Sequence, residues 1–305
     1  MKSKFIASEK VENCRLDTFL TNNIEDKSRN YCQKVIEEGG VIVNGKVCTS
    51  KKEKVNQGDI IEIEVTEKQE ITPTPEKMKL NIVYEDEDIL VLDKDKGVVV
   101  HPGVGNYTGT LMNGLLYYCG DNLSDINGDL RRGIVHRIDK DTSGLIMIAK
   151  SNFAHEGLAE QLANHSSTRG YKAVVYNNFK EDEGTINKPI GRNKKNRLLR
   201  AVDYENGKRA VTHYKVLERL SKFCLIEARL ETGRTHQIRV HMADINHPLL
   251  GDVVYGQAKQ KYKLEGQMLH AYLLGFIHPR TGQYMEFESE LPSEFINVLD
   301  KLRKE

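Results

Sequence analysis

The sequence predicts an α+β protein with a small N-terminal module and a larger mixed domain that has more strands than helices. A chain of 305 residues is long enough for one large domain and one small domain. A polar stretch with two prolines, residues 66–79, separates two regions of regular pattern. The second region lacks the regular alternation of strand and helix that a doubly wound fold requires. We therefore predict domains at residues 1–67 and 80–305, joined by a linker at residues 68–79.

The N-terminal module is predicted to run helix, helix, hairpin, strand. Apolar spacing over residues 16–20 indicates a short helix, and Ser28 can cap a second helix that ends at the two glycines 39–40. The segment VIVNGKVC predicts a hairpin, because Asn44-Gly45 tolerates the positive φ that a tight turn requires. IIEIEV, residues 60–65, alternates like a half-buried strand.

The larger domain shows short β-rich runs from residue 81 onward and an amphipathic helix from Ser151 to about His165. Further runs separated by turns are predicted as strands: LIMIAK, AVVY, VTHYKVLE, FCLIEARL and HQIRVHM. Together they predict a mixed domain dominated by sheet.

Composition excludes several classes of protein. The chain is 39% hydrophobic and 29% charged, and no apolar run approaches the roughly 20 residues that cross a bilayer. Its start, MKSKFIASEKVEN, lacks the apolar stretch of a signal peptide, so we expect a cytoplasmic protein without a membrane segment. The five cysteines form no C-x-x-C pair, which predicts reduced thiols and neither a zinc site nor a redox site.

Charge is informative through its distribution, since the net charge is only +1. Basic residues gather at 194–200 and at Lys208 and Arg209, whereas acidic residues gather at 85–88. Separated signs leave room for a basic face that meets phosphates, and the alternative is an ordinary solvated surface.

The stretch GIVHRIDKDTSGLIMIAK, residues 133–150, carries the main candidate site. Polar side chains are dense ahead of an apolar strand, and such positioned loops commonly hold functional groups. The alternative is that Asp139 only shapes a turn or pairs with a surface arginine.

Residues 136–150 resemble the signature of the pseudouridine synthases of the ribosomal large-subunit type, in which the aspartate after H-R-x is the nucleophile. The resemblance continues, in the order of that family, at residues 170–172, 189–192, 207–210, 230–243, 247–252 and 269–276. It implies a mainly antiparallel sheet in the catalytic domain and isomerisation of uridine to pseudouridine in structured RNA, without a cofactor or metal. One position departs, because Asp95 stands where the family usually has a proline, which predicts a looser turn at residues 94–97.

The N-terminal module resembles a small α/β S4 RNA-binding domain at residues 15–17, 28–29, 40, 43–45 and 58–59. Combined with the catalytic resemblance, it implies an RNA partner, most simply large-subunit 23S ribosomal RNA. Candidate phosphate contacts are Arg15, Lys27, Arg29, Lys51 or Lys52, and Lys208 and Arg209 in the larger domain.

Three residues are predicted to be catalytic: Asp139, Tyr171 and Arg234. Asp139 needs a cation to stay ionised when buried, and the resemblance assigns that role to Arg234, with an RNA phosphate as the alternative ligand of this arginine. Tyr171 matches the family's active-site tyrosine, which can act as a base or stack on the uracil.

Six residues are predicted to bind substrate: His136, Arg137, Thr142, Gly144, His236 and Leu269. Arg137 is expected to fill the space left by the flipped nucleotide, and His136 to support the loop by hydrogen bonding. A metal site is excluded because THQIRVH, read as a strand, places His236 and His241 on opposite faces.

Competing hypotheses remain. The same chemistry could act on tRNA or on another ribosomal RNA site, and the scaffold could serve a non-catalytic RNA-binding or ribosome assembly protein. A methyltransferase is disfavoured because the sequence shows no glycine-rich cofactor loop after its first strand, and a nuclease would usually show carboxylates clustered for metal binding. Ordinary composition predicts a monomer.

Overall fold

The computed structural model describes residues 2–9, 11–24, 28–64, 72–103, 105–196, 199–256 and 262–305. The chain forms two compact units, residues 1–70 and 71–305. The structure contains both helices and sheets, and the predicted α+β class is confirmed. Among the described residues, no helix combines the length and apolar character needed to span a bilayer.

The first unit is a small sheet packed against two helices. Its elements are β1 (Lys2–Ile6), β2 (Cys14–Arg15), α1 (Leu16–Asn23), α2 (Arg29–Glu37), β3 (Val41–Val43), β4 (Lys46–Val47), β5 (Lys54–Val55) and β6 (Ile60–Glu64). The sheet has the antiparallel order β1-β6-β3-β4, and β2 pairs separately with β5. β1 was not predicted, because its five residues show no clear alternation of apolar and polar side chains.

Local signals place the two helices of this unit as expected. The Ser28 hydroxyl accepts a hydrogen bond from the Tyr31 amide and caps α2. Asn44 and Gly45 have φ of 52° and 78° and form the predicted turn between β3 and β4. Buried Leu20, Ile36 and other apolar side chains give the unit its own core.

The second unit is built on one large sheet. Its strands are β7 (Ile82–Glu85), β8 (Ile89–Lys94), β9 (Ser143–Ala149), β10 (Thr168–Tyr176), β11 (Glu183–Asn187), β12 (Ile190–Arg192), β13 (Arg200–Val202), β14 (Val211–Leu220), β15 (Phe223–Leu230), β16 (Leu269–Ile277) and β17 (Tyr284–Glu288). The helices are α3 (Leu111–Cys119), α4 (Asn152–Ala163), α5 (Gln237–Asp244) and α6 (Ser293–Leu302), with a 3-10 turn at Asp129–Arg131.

The large sheet has the order β11-β14-β15-β10-β16-β9-β8-β7, with β17 also paired to β16, whereas β12 and β13 form a separate antiparallel pair. Its strand pairs are antiparallel except β16 with β9, which run parallel where His270 faces Ser143 and Ala271 faces Gly144. The expected mainly antiparallel sheet is therefore present in the second unit.

Helices cover both faces of this sheet. On one face, α3 and α5 pack on side chains such as Ile146 and Ile148 of β9, whereas α4 packs on the alternate residues Leu145 and Met147. The α6 helix packs on the same alternate face further along, against strands β10 and β15. Strands buried on both sides become continuous apolar runs, which is why LIMIAK shows no alternation of polar and apolar residues.

Residues 236–242, HQIRVHM, are not a strand. They form most of α5, and the six side chains from Gln237 to Met242 are all buried. A helix buried on all sides has no polar face, so its 3.6-residue period is hidden, and alternating Ile238, Val240 and Met242 imitate a strand. The strand prediction for this segment was wrong.

Part of the predicted linker packs on the second unit. The Asn113 side chain donates a hydrogen bond to the Thr74 carbonyl (2.7 Å), and the Glu76 carboxylate accepts one from the Gly109 amide (2.9 Å). Residues 65–71 lie outside the described residues. The boundaries at residues 67 and 80 stay predictions.

Candidate active site

A cleft of about 600 Å³ opens on the face of the large sheet that α5 covers. It brings together side chains from the loop before β9, from β10, from the turn before α5 and from β16. Eight of the predicted site residues line it: His136, Arg137, Asp139, Thr142, Tyr171, Arg234, His236 and Leu269. Residues distant in sequence thus converge on one concave site of a size suited to a nucleotide.

Asp139 lies on the loop that leads into β9, and this loop is held from two sides. The Thr142 amide donates to the Asp139 carbonyl (3.1 Å), which closes a turn. The Lys140 carbonyl accepts hydrogen bonds from the Gly97 amide (2.9 Å) and from the Lys94 ammonium (3.1 Å). The loop therefore holds Asp139 in place through its own backbone and through the neighbouring turn.

Lys94 is an unusual buried cation in that turn. Its ammonium also donates to the carbonyls of Asp95 (2.7 Å) and Val98 (2.9 Å). Burial lowers the pKa of Lys94 to about 8, although the charges of Asp141 and Asp139 oppose that shift. The looser turn predicted from Asp95 is not seen, since these bonds hold residues 94–98 without a proline.

The cation against Asp139 is Arg239 of α5. Its Nη1 lies 3.0 Å from Asp139 Oδ2, and its Nε and Nη2 reach Asp252 at 2.7 Å and 3.0 Å. Arg239 thus bridges two carboxylates, with a two-point contact to Asp252. Sequence reasoning missed Arg239 because it treated this segment as a strand.

The expected contact between Arg234 and Asp139 is wrong. Arg234 lines the cleft, but its Nε donates to the carbonyl of Arg209 (3.0 Å). The turn that carries it is fixed by buried Gln237, whose Oε1 accepts from the Arg234 amide (3.0 Å) and the Thr232 hydroxyl (2.8 Å). Because α5 begins at Gln237, the side chain of Arg239 in its first turn, and not that of Arg234 in the preceding turn, is the arginine that reaches Asp139.

Asp252 is a fully buried carboxylate that anchors the bridge. Burial pushes its pKa upward, but hydrogen bonds from Arg239 and from the amides of Val254 and Tyr255 outweigh this and leave the pKa lowered. Asp252 is therefore charged at neutral pH, and it holds Arg239 in the orientation that meets Asp139.

His236 stands beside Asp139 at the start of α5. Its backbone is left-handed, with φ of 58°, and its Nε2 lies 3.8 Å from Asp139 Oδ1. Burial lowers the pKa of His236 while the Asp139 charge opposes the shift, so the imidazole is neutral near pH 7. The Tyr255 hydroxyl, which accepts the Arg200 amide (2.9 Å), lies 2.8 Å from His236 Nδ1 and orients the ring.

The remaining histidines of this segment have other roles. His241 is fully buried and hydrogen bonds Thr212 (2.9 Å) and the Lys188 carbonyl (2.9 Å), and His247 stacks on Phe179. The predicted placement of His236 and His241 on opposite faces of a strand is wrong, because His241 lies in the helix α5 and His236 directly precedes it. The two rings nonetheless occupy different surroundings.

Tyr171 on β10 forms part of the cleft wall and is 7% exposed. Burial raises the pKa of its phenol, although the nearby Arg169 charge opposes this. The phenol is thus protonated at neutral pH and presents an apolar ring with a hydroxyl donor.

His136 and Arg137 point to different partners. His136 Nε2 accepts the Met147 amide (3.0 Å), and burial lowers the pKa of His136 to about 3, so this ring is a neutral support of the loop. Arg137 is exposed, and its guanidinium donates to His101 Nε2 (3.1 Å). His101 gave no sequence signal as a partner because it lies 36 residues earlier.

Gly144 is not among the described residues that line the cleft. Its φ is 111°, and a β-carbon there would lie 2.2 Å from the Ala271 carbonyl oxygen. The substrate contact of Gly144 stays a prediction, and in the structure this glycine lets β9 approach β16 closely.

Predicted RNA-binding residues lie elsewhere. In the first unit, Arg15 and Arg29 both pair with the buried Asp17, and Lys51 pairs with Glu37 at 2.7 Å. Lys27 lies outside the described residues. In the second unit, Arg209 pairs with Glu231 at 2.6 Å, and neither Lys208 nor Arg209 lines the cleft.

Comparisons with known proteins identify the family to which the chain is similar. The model of the RNA pseudouridylate synthase family matches residues 88–244, and that of the S4 domain matches residues 14–61. An uncharacterised RNA pseudouridine synthase of Bacillus subtilis (strain 168) is 50% identical over 298 residues, covering 98% of this chain and 97% of that protein. Ribosomal large subunit pseudouridine synthase D of Zymomonas mobilis is 43% identical over 296 residues, covering 94% of this chain and 93% of that protein.

A solved structure shares the fold. Human RNA pseudouridylate synthase domain containing 1 superposes with a TM-score of 0.57 at 24% identity, covering 79% of this chain and 98% of that one. The family match and the two relatives leave one conclusion: the chain belongs to the RNA pseudouridylate synthase family and is an RNA pseudouridine synthase with an N-terminal S4 domain.

Proposed function

We propose that this enzyme converts uridines of large-subunit 23S ribosomal RNA to pseudouridine, with Asp139 as the nucleophile, as a monomer in the cytoplasm. The observation that carries the proposal is the Asp139 carboxylate, presented in the cleft beside Tyr171 and held by Arg239 at 3.0 Å. A protein named for ribosomal large-subunit modification, 43% identical, supports the choice of RNA.

The reaction breaks the N1–C1′ bond, turns the uracil and joins C5 to C1′. The proton leaves C5 and N1 gains one, so no oxidation or reduction occurs. Asp139 would attack the ribose or the base, or stabilise charge that develops there. Arg239 orients the carboxylate for this step through its second contact with Asp252.

Tyr171 would hold the base while it turns. A protonated phenol with a buried ring suits stacking and hydrogen-bond donation better than proton abstraction, since burial raises its pKa. Exposed Arg137 would fill the gap left by the flipped nucleotide. Because flipping a base out of a duplex costs energy, the target uridine is expected in a loop rather than in a duplex. The cations of the S4 unit would hold the RNA backbone.

The test is tritium release from ribosomal RNA labelled at uridine C5. We expect release by the wild-type enzyme and none by Asp139→Asn, which keeps the shape of the side chain. Wild-type activity retained in Asp139→Asn would exclude the nucleophile. Carbodiimide labelling with primer extension on RNA from cells lacking the gene then names the sites, and signals missing only from tRNA would refute the ribosomal substrate.

A further inference from the structure

Arg169 is a buried arginine in the wall of the cleft, and the mechanism proposed above gives it no role. It lies on β10 two residues before Tyr171, is 7% exposed and lines the same cleft. Its Nη2 donates to the Glu231 carbonyl (3.0 Å). Within the described part of the chain, its Nε has no hydrogen-bond partner, and no Asp or Glu carboxylate forms an ion pair with its guanidinium.

The surroundings of Arg169 are shaped to hold its guanidinium. A β-carbon on Gly233 would lie 2.6 Å from Nη1, so the absence of a side chain at that position leaves room for the guanidinium. The Glu231 carbonyl fixes one side of the same group. The arginine is thus set in advance against the turn that precedes α5.

A buried guanidinium without a counter-charge is costly, and such cations normally meet an anion. Asp139 does not fill this need, because its ion-pair contacts among the described residues are with Arg239 at 3.0 Å and His236 at 3.8 Å. Arg234 lines the same cleft and adds a second positive charge. In RNA the only anions are the backbone phosphates, which a planar guanidinium binds with two N–H groups.

We propose that Arg169 binds a backbone phosphate of the RNA next to the target uridine, forming an anion subsite that Gly233 makes room for. This inference rests on the proposed function only in taking RNA as the bound substrate. The subsite sets which phosphate enters the cleft and thereby where the flipped uridine stands relative to Asp139.

The experiment compares Arg169→Met with the wild type in RNA binding over a range of salt. The control is Arg229→Met on the neighbouring strand β15, where Arg229 pairs with Glu227 and lies outside the cleft. The slope of log K against log salt is negative, and each lost phosphate contact reduces its magnitude by about 0.7 for single-stranded RNA. We expect that loss and about tenfold weaker binding for Arg169→Met, and an unchanged slope for Arg229→Met.

A second measurement locates the phosphate. In a synthetic hairpin that the wild type modifies, single linkages around the uridine are replaced by uncharged methylphosphonates. One linkage is expected to weaken wild-type binding about tenfold and to cost Arg169→Met nothing further. Equal costs for both proteins at every linkage, with an unchanged salt slope, would overturn the proposal and leave Arg169 as an internal support or a base contact.

Two precautions keep the outcome clear. Should Arg169→Met fail to fold, Arg169→Lys retains the charge, and the linkage series is then measured with the wild type alone. If no methylphosphonate linkage weakens wild-type binding more than twofold, the subsite is overturned. Tritium release by the wild type reports separately on the proposed function, so that failure of one does not imply failure of the other.

Discussion

At the scale of residues, the site depends on one arginine shared between two carboxylates. Arg239 contacts Asp139 at 3.0 Å and Asp252 at 2.7 Å and 3.0 Å, and only 8% of its side chain is exposed. Asp252 is fully buried, so it has no water to replace a lost partner. We therefore expect the bridge to affect both the proposed chemistry at Asp139 and the stability of the fold.

Arg239→Gln is expected to lower kcat about 100-fold, because Asp139 loses the contact that orients it. It should also reduce the free energy of unfolding by about 3–5 kcal/mol, because the buried ion pair between Arg239 and Asp252 is broken while the Asp252 carboxylate stays out of water. Arg234→Gln is the matched control, with an unfolding energy within about 0.5 kcal/mol of wild type and a higher KM. Urea denaturation and tritium-release kinetics measure both, and a loss of kcat in Arg234→Gln alone would contradict this assignment.

Much of the site was predictable at this scale, but not its internal pairing. Asp139, Tyr171 and His236 could be singled out because motif residues stand together in the sequence. Arg239 and Asp252 could not, since their pairing depends on whether residues 237–244 form a helix. Arg169 and His101 also gave no signal, because an arginine in a strand and a lone histidine look ordinary until their partners are known.

At the scale of elements, prediction succeeded where capping and turn residues mark the ends. The second helix, capped by Ser28, and the turn at Asn44-Gly45 both form as expected. It failed for α5, whose sides are all buried, and it passed over α3 and α6. Burial by other elements, which a sequence does not display, hides α5. The helical spacing of Phe295, Val298, Leu299 and Leu302 in α6 was visible in the sequence and was overlooked.

The junction of β9 and β16 is an element-scale feature that should be sensitive to substitution. Gly144→Ala places a β-carbon 2.2 Å from the Ala271 carbonyl oxygen, at a φ of 111° that side chains rarely adopt. We expect a loss of at least about 2 kcal/mol in the free energy of unfolding, and lower kcat because the Asp139 loop leads into this strand.

Gly103→Ala is the control for that substitution, since an added β-carbon there meets no atom within 4 Å. Its unfolding energy in urea should match the wild type within about 0.5 kcal/mol. If the Gly144→Ala protein were as stable as Gly103→Ala, β9 and β16 would separate easily. The close approach of Gly144 to Ala271 would then not contribute to stability.

At the scale of the whole molecule, the chain consists of two units that each have a separate hydrophobic core. The first has a core that includes Leu16 and Ile36, and the second has its largest core around β9, β10 and α5. The net charge of +1 gives no general attraction to RNA, so affinity must come from local groups of cations. In the S4 unit, Arg15 and Arg29 are held by the buried Asp17, whereas half-buried Lys51 pairs with the exposed Glu37 and Lys52 is exposed. These two lysines are therefore the more adaptable contacts.

Replacing Lys51 and Lys52 together by Gln is therefore expected to weaken RNA binding without changing the chemical step. KM should rise several-fold, while kcat at saturating RNA stays at the wild-type value. The magnitude of the negative slope of log K against log salt should decrease by about 0.7 for each lysine that contacts a phosphate. Lys4→Gln in the same unit, where Lys4 pairs with Glu62 at 2.9 Å, controls for the loss of charge. A fall in kcat with KM and slope unchanged would show that the S4 unit acts on the catalytic step rather than on affinity.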